Sequence, residues 1–267
     1  MKAFLTTTIA VIASAIFFLQ SHGLIQKNIT PESIISMVSD IKSIDLLAKN
    51  SNTTVNFTEL NKYFSFEITN LNDMCEYILE RDAYMSCYSG KYKIPFLVAY
   101  KLEKAKVLKK MKRPSSFQND KSVPIKKQAL NSNYSRTGYD RGHMMENASA
   151  DWSKKAQIET FLFTNIVPQK DVFNRGAWAK LEAYTRELSY KYRDVYIITG
   201  AIPGSKTIRN GVNIPKKMYK IIYIPKTNKT EVYLYPNDST VKRSQFLNKK
   251  YHSSIREIES LTGFKFK

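Results

Sequence analysis

Proton transfer near neutral pH usually falls to histidine. Beyond residue 23 this chain has two, His143 and His252. His252 sits between Tyr251 and Ser253 with no carboxylate or amide cluster beside it and is read as a surface residue. His143 stands in Tyr139-Asp140-Arg141-Gly142-His143-Met144. There Gly142 would let the backbone come close to a ligand. Arg141 sets a cation beside the base, suited to an anionic substrate. Downstream, Thr164-Asn165-Ile166-Val167-Pro168-Gln169 supplies two amides, Asn165 and Gln169, read as holding the loop that orients the His143 ring. Asn174, in Phe173-Asn174-Arg175-Gly176-Ala177-Trp178, offers an amide oxygen; taken alone it would cap a helix beginning near Ala177. Glu182 and Arg186 lie four residues apart on that helix and share a face. They read either as a surface ion pair of ~0.3–0.5 kcal/mol or as a carboxylate and a guanidinium facing one ligand.

These groups need a scaffold. Residues 83–88 and 96–102 read as strands around a turn at 89–92. Residues 195–199, 220–224 and 231–235 run apolar or alternate over about five residues, as strands do. Apolar residues at 178, 181, 184, 185 and 188 predict an amphipathic helix over 178–192, with Trp178 and Leu181 in the core. A last helix over 253–261 should stop at Gly263. Residues 101–128 are irregular and basic, with ten Lys or Arg against Glu103 and Asp120; they carry Arg113 and read as a phosphate track. The class is α+β.

The chain has 267 residues, 42 Lys plus Arg against 23 Asp plus Glu, and a net charge of +19. A domain needs only ~2–8 charges for solubility, so the excess favours a polyanionic partner. Its composition excludes a disordered, collagen-like or multi-pass membrane chain. Lys2, an apolar run and Ser21-His22-Gly23 read as a signal peptide over 1–23 and predict a secreted or periplasmic protein. An uncleaved membrane anchor is the alternative, and without it no stable membrane partner is expected. A mitochondrial transit peptide fits worse, since these are Arg-rich and this segment has one Lys. Residues 24–80 carry four Lys against eight acids, a net of −4, and residues 81–267 carry +22. Apolar spacing over 31–47 makes 24–80 a mainly helical acidic extension. Cys75 and Cys87 fit a single local disulfide, or two reduced buried thiols. With no neighbouring His they make no zinc site.

The His143 and Asn174 blocks together resemble the DNA/RNA non-specific endonucleases, the endonuclease G-like, sugar-non-specific ββα-metal nucleases. Tyr196-Ile197-Ile198-Thr199-Gly200, Val212-Asn213-Ile214-Pro215-Lys216 and residues 255–266 extend the resemblance over roughly 81–267. It implies a ββα-metal (His-Me finger) fold, with a central antiparallel sheet flanked by helices. It also implies hydrolysis of DNA and RNA to a 5′-phosphate and a 3′-hydroxyl. By the same resemblance His143 is the general base and Asn174 the single direct ligand of Mg²⁺, with Mn²⁺ or another divalent cation as substitutes. Glu182 orients metal-bound water. Arg186 and Arg113 grip phosphate oxygens, with Arg141 as a further substrate contact and Asp140 and Asn165 in support. The motif departs from the family's usual pattern at Met144-Met145-Glu146-Asn147, where Glu146 near the metal would bear on metal preference or pH optimum. Other functional readings are a nuclease toxin delivered to another cell, with an inhibitor or immunity protein as partner, and a non-catalytic polyanion-binding protein. The sequence fixes no oligomeric state.

Overall fold

A computed structural model describes residues 68–69, 74–114 and 116–266, all within the unit Val55–Lys267. The expected signal peptide, the apolar spacing over 31–47 and most of the extension lie outside the described residues.

The strands, in chain order, are β1 (Ile68–Thr69), β2 (Tyr77–Glu80), β3 (Met85–Ser89), β4 (Ile94–Glu103), β5 (Tyr139–His143) and β6 (Ile166–Lys170). They are followed by β7 (Asp194–Thr207), β8 (Asn213–Ile224), β9 (Lys229–Pro236) and β10 (Lys265–Phe266). Six of them form an antiparallel sheet in the order β2-β3-β4-β7-β8-β9. β1 pairs with β10, and β5 with β6. The principal helices are α1 (Lys154–Glu159), α2 (Ala179–Tyr192) and α3 (Ile255–Thr262). This is the expected α+β architecture, an antiparallel sheet flanked by helices.

β4 is buried over Ile94–Tyr100 because both of its faces are covered, which is why that segment reads as a continuous apolar run. β7 and β8 extend well beyond their apolar stretches, to 14 and 12 residues. Their outer ends carry exposed Lys206 and Lys216, so backbone pairing continues where side-chain patterning ceases. α2 turns Leu181, Thr185 and Leu188 inward, a helical stripe that packs on β4, β7 and β8. α3 begins at Ser254, whose hydroxyl accepts from the Glu257 N–H. It ends at Gly263, whose φ of +81° suits a residue without Cβ.

The charge sign changes near residue 80, but the fold does not begin there. β2 is the edge strand of the sheet, β1 pairs with the C-terminal β10, and Cys75 is bridged to Cys87. Residues 68–69 and 74–80 therefore belong to the folded unit although their charge groups them with the acidic extension.

Candidate active site

β5 and β6 form a hairpin whose connection runs from 144 to 165, and the chain then enters a helical segment that becomes α2. This strand–strand–helix unit sets His143 at the end of β5 and Asn174 at the start of the helix, on one cleft of about 340 Å³. Arg113, Arg141, Glu146, Glu182 and Arg186 line the same cleft. Six of the residues singled out from the sequence (His143, Asn174, Glu182, Arg186, Arg113 and Arg141) are thus brought together.

The His143 ring is packed between Phe117, 5.4 Å away, and Phe161, met edge-on at 5.1 Å. Burial, reinforced by the Arg113 charge, pushes its imidazole down to about 3. The ring is therefore neutral at neutral pH, with a free nitrogen lone pair to accept a proton. Asn165 holds the chain that follows: its Oδ1 accepts from the Met145 N–H, and its Nδ2 donates to the carbonyls of Met145 and Thr160. Phe117 owes its place to the C-terminal end of the basic loop. Gln118 pairs through its backbone with Phe161 and Phe163, and the buried Asp120 accepts from Thr164 and the Ser122 N–H.

Gly142 serves a different purpose from the one expected. A Cβ there would meet the Gln169 side chain at 1.9 Å, so the glycine admits Gln169 across the hairpin rather than a ligand.

Asn174 caps no helix through its side chain. Residues Asp171–Phe173 are already helical, and Asn174–Trp178 form a π-type turn, with Gly176 off helical geometry, before α2 starts. The Asn174 Nδ2 donates to Asp140 at 2.9 Å, which leaves the amide oxygen as the group available to the cleft. Asp140 also accepts from the exposed Arg175 at 2.8 and 2.6 Å, and these donors hold its carboxyl below the usual range despite burial. An oriented amide oxygen suits a hard divalent cation, which keeps most of its waters and takes few protein ligands. Among the described residues no three His, Cys, Asp or Glu side chains converge as a metal cage, so a cation here would rest on Asn174 and water.

Glu182 and Arg186 do share the cleft, but they are not each other's principal partner. Arg186 donates to Glu146 at 2.7 Å in an ion pair whose side chains are 18% and 8% exposed. Glu146 accepts as well from Ser149 and, at 3.4 Å, from the Tyr100 hydroxyl. Burial and the neighbouring Glu146 push Glu182 up to about 8, against the pull of Lys220 and Arg186.

The basic loop is a weaker phosphate track than its composition suggests. Lys101, Lys106, Lys110 and Lys127 are engaged with Asp194, Glu103, Asp151 and Glu76 respectively. Of the ten cations only Arg113 lines the cleft, its guanidinium over Phe161 at 5.2 Å. Arg141 lies over Phe117 and Tyr134 and donates to the Asn131 carbonyl, so it braces the wall as well as facing the cleft. His252 is exposed and packs edge-on against Tyr233, away from this site.

Sequence reasoning missed the aromatic enclosure of His143 and the buried group beneath Glu146. That group comprises Tyr100, Thr199 and Lys220, each wholly buried. A lysine inside the apolar run of β8 was the available signal for it.

A family model described as DNA/RNA non-specific endonuclease matches residues 65–267. Mouse nuclease EXOG, mitochondrial, is 30% identical over 199 residues, covering 67% of this chain but only 54% of that protein. The chain therefore spans about half the length of that relative. A nuclease from Nostoc is 31% identical over 204 residues, 71% of this chain and 73% of that one. Among solved structures, a chain from an EndoG/EndoGI complex, described as showing a mechanism of EndoG inhibition, superimposes with a TM-score of 0.62. It is 28% identical and covers 71% of this chain and 84% of its own.

Proposed function

Since the chain belongs to the DNA/RNA non-specific endonuclease family, whose nucleases depend on a divalent metal, we propose that it hydrolyses phosphodiesters of DNA and RNA with little sequence preference. The observation that carries this reading is the pairing, on one cleft, of a neutral imidazole with an amide oxygen whose orientation Asp140 fixes.

A phosphodiester is anionic and repels nucleophiles, so hydrolysis needs an activated water and charge stabilisation. His143 takes the proton from the attacking water. Asn174 would hold a divalent cation, Mg²⁺ in this reading, through its amide oxygen, and Glu182 would orient the waters it brings. When bound, the cation supplies Lewis-acid polarisation of the phosphate. Arg113 approaches the phosphate from the loop side. Arg186 spends one nitrogen on Glu146 and keeps further N–H donors for the charge that grows on the phosphate. Contacts to backbone phosphates carry no sequence information, in keeping with a non-specific reader.

Incubating the purified protein with supercoiled plasmid and with RNA, with Mg²⁺ or Mn²⁺ and with EDTA, tests this reading. Both substrates should be degraded with a cation and neither in EDTA. Intact substrate under every condition would leave polyanion binding as the function.

We also propose that residues 1–23 direct export. The apolar run behind a single Lys supports this, although several relatives are named mitochondrial. Mass spectrometry of the mature N-terminus decides the point. An inhibitor protein is a proposed partner because the superimposable nuclease chain comes from a complex with one, and that partner would suit a delivered toxin as well as a scavenging enzyme.

A further inference from the structure

Beneath the cleft wall lies a cation that the proposed chemistry does not use. Lys220, in the middle of β8, is wholly buried. It faces Thr199 directly across the β7–β8 pairing, and Tyr100 stands on the same sheet face one strand further on. The Lys220 Nζ donates to Thr199 Oγ1 at 2.6 Å and to the Tyr100 hydroxyl at 3.1 Å, and it lies 4.8 Å from the centre of the Trp178 ring. Three donors meeting two hydroxyl oxygens and one aromatic face is the environment of an ammonium group. Burial, and to a smaller extent the Arg186 charge, lowers the lysine's pKa against the opposing pull of Glu146 and Glu182.

The direction of the chain of hydrogen bonds follows from the donors available. Lys220 can only donate, so the Tyr100 hydroxyl accepts from it and turns its own proton to Glu146 Oε2. Glu146 Oε1 then receives Arg186. The Glu146 carboxylate thus stands between two cations, Arg186 directly and Lys220 through Tyr100. A buried charge is tolerated when it is paired and hydrogen-bonded in this way.

Resting on the nuclease reading, we propose that Lys220 is a positioning residue: through Tyr100 it fixes the Glu146 carboxylate that holds Arg186 at the cleft wall. Without it, the Glu146 carboxylate faces Arg186 alone. The guanidinium is then drawn toward it and away from the phosphate. Partners one layer behind a reacting group typically account for about 10–100-fold in activity. The exposed cations that meet the substrate are untouched, so binding should survive.

The test compares wild type, Lys220→Met, Tyr100→Phe and the double variant, with His143→Ala as the inactive control. On plasmid DNA, Lys220→Met should lose about 10–100-fold in kcat with KM within about twofold, and Tyr100→Phe should lose less in the same sense. A second readout needs no metal: in EDTA, the Tm losses of the two single variants should not add in the double variant, because both break one chain of bonds. Wild-type kcat in Lys220→Met, additive Tm losses, or a kcat loss that vanishes once activity is normalised to the folded fraction would each overturn the proposal. If Lys220→Met does not fold, Tyr100→Phe decides: an unchanged kcat refutes the relay and a reduced kcat at constant KM supports it. A wild-type protein that cuts nothing would defeat the nuclease reading instead, a result the controls separate from failure of the Lys220 proposal.

Discussion

Replacing Asp140 by Ala removes the group that orients the Asn174 amide. Asp140 is 19% exposed and accepts from Asn174 Nδ2 at 2.9 Å, a bond to a charged acceptor. Such bonds contribute about 1.5–3 kcal/mol, and partial exposure places this one toward the lower end. Its other donor, Arg175, is 72% exposed, so solvent screens that pair and little should follow from its loss. If the Asn174 bond is what holds the oxygen toward the cleft, its removal lets the amide rotate. Cation affinity should then fall by about tenfold, the equivalent of ~1.4 kcal/mol. Calorimetric titration of Mg²⁺ measures this directly, and plasmid nicking across a Mg²⁺ series should show activity recovering at high cation. Arg175→Ala is the control and should bind the cation almost as wild type does. Equal affinity in Asp140→Ala and wild type, or an equal loss in both variants, would refute the role given to Asp140.

Three further outcomes are expected. His143→Ala should lose about 10²–10⁴ in cleavage rate, as loss of a general base does, while retaining DNA binding in a filter assay; more than a tenth of wild-type activity remaining would exclude His143 as the base. Phe117→Ala opens the enclosure that holds the imidazole at about 3, so its pKa should rise toward the ordinary 6.5. Because only the neutral ring accepts a proton, the variant should lose rate as pH falls through the raised value, and superimposable acid limbs in the two proteins would contradict this. Glu182, held near 8 before a cation binds, is largely protonated at pH 7. Cation binding favours its ionised form, so Mg²⁺ affinity should weaken as pH drops below about 8 and binding should release a proton, which calorimetry in buffers of different ionisation enthalpy would detect; the same affinity at pH 6 and pH 8.5 would count against it.

The sequence by itself determined the parts whose signal is local. His143 stood out because so few histidines are available, and the spacing of Asn174, Glu182 and Arg186 placed all three on one helical segment. Period-two and period-3.6 patterning located the central strands, α2 and α3, since burial of one face or stripe leaves its mark along the chain. Tertiary structure alone decided the pairings. Arg186 is four residues from Glu182 yet turns to Glu146, forty residues away in sequence, because the long β5–β6 connection folds that carboxylate beneath the guanidinium. Gly142 reads as a ligand contact until the hairpin shows Gln169 filling its space. The charge of 24–80 hid the fact that β2 forms the edge of the main sheet, β1 pairs with the C-terminal β10 and Cys75 is bridged to Cys87, since backbone pairing and a disulfide are indifferent to net charge. Lys220 looked like an ordinary strand lysine, and only the convergence of β4, β7, β8 and Trp178 makes it a buried cation. Patterning along a chain reports which side of an element is buried, whereas the partner met there is set by contacts between segments far apart in sequence.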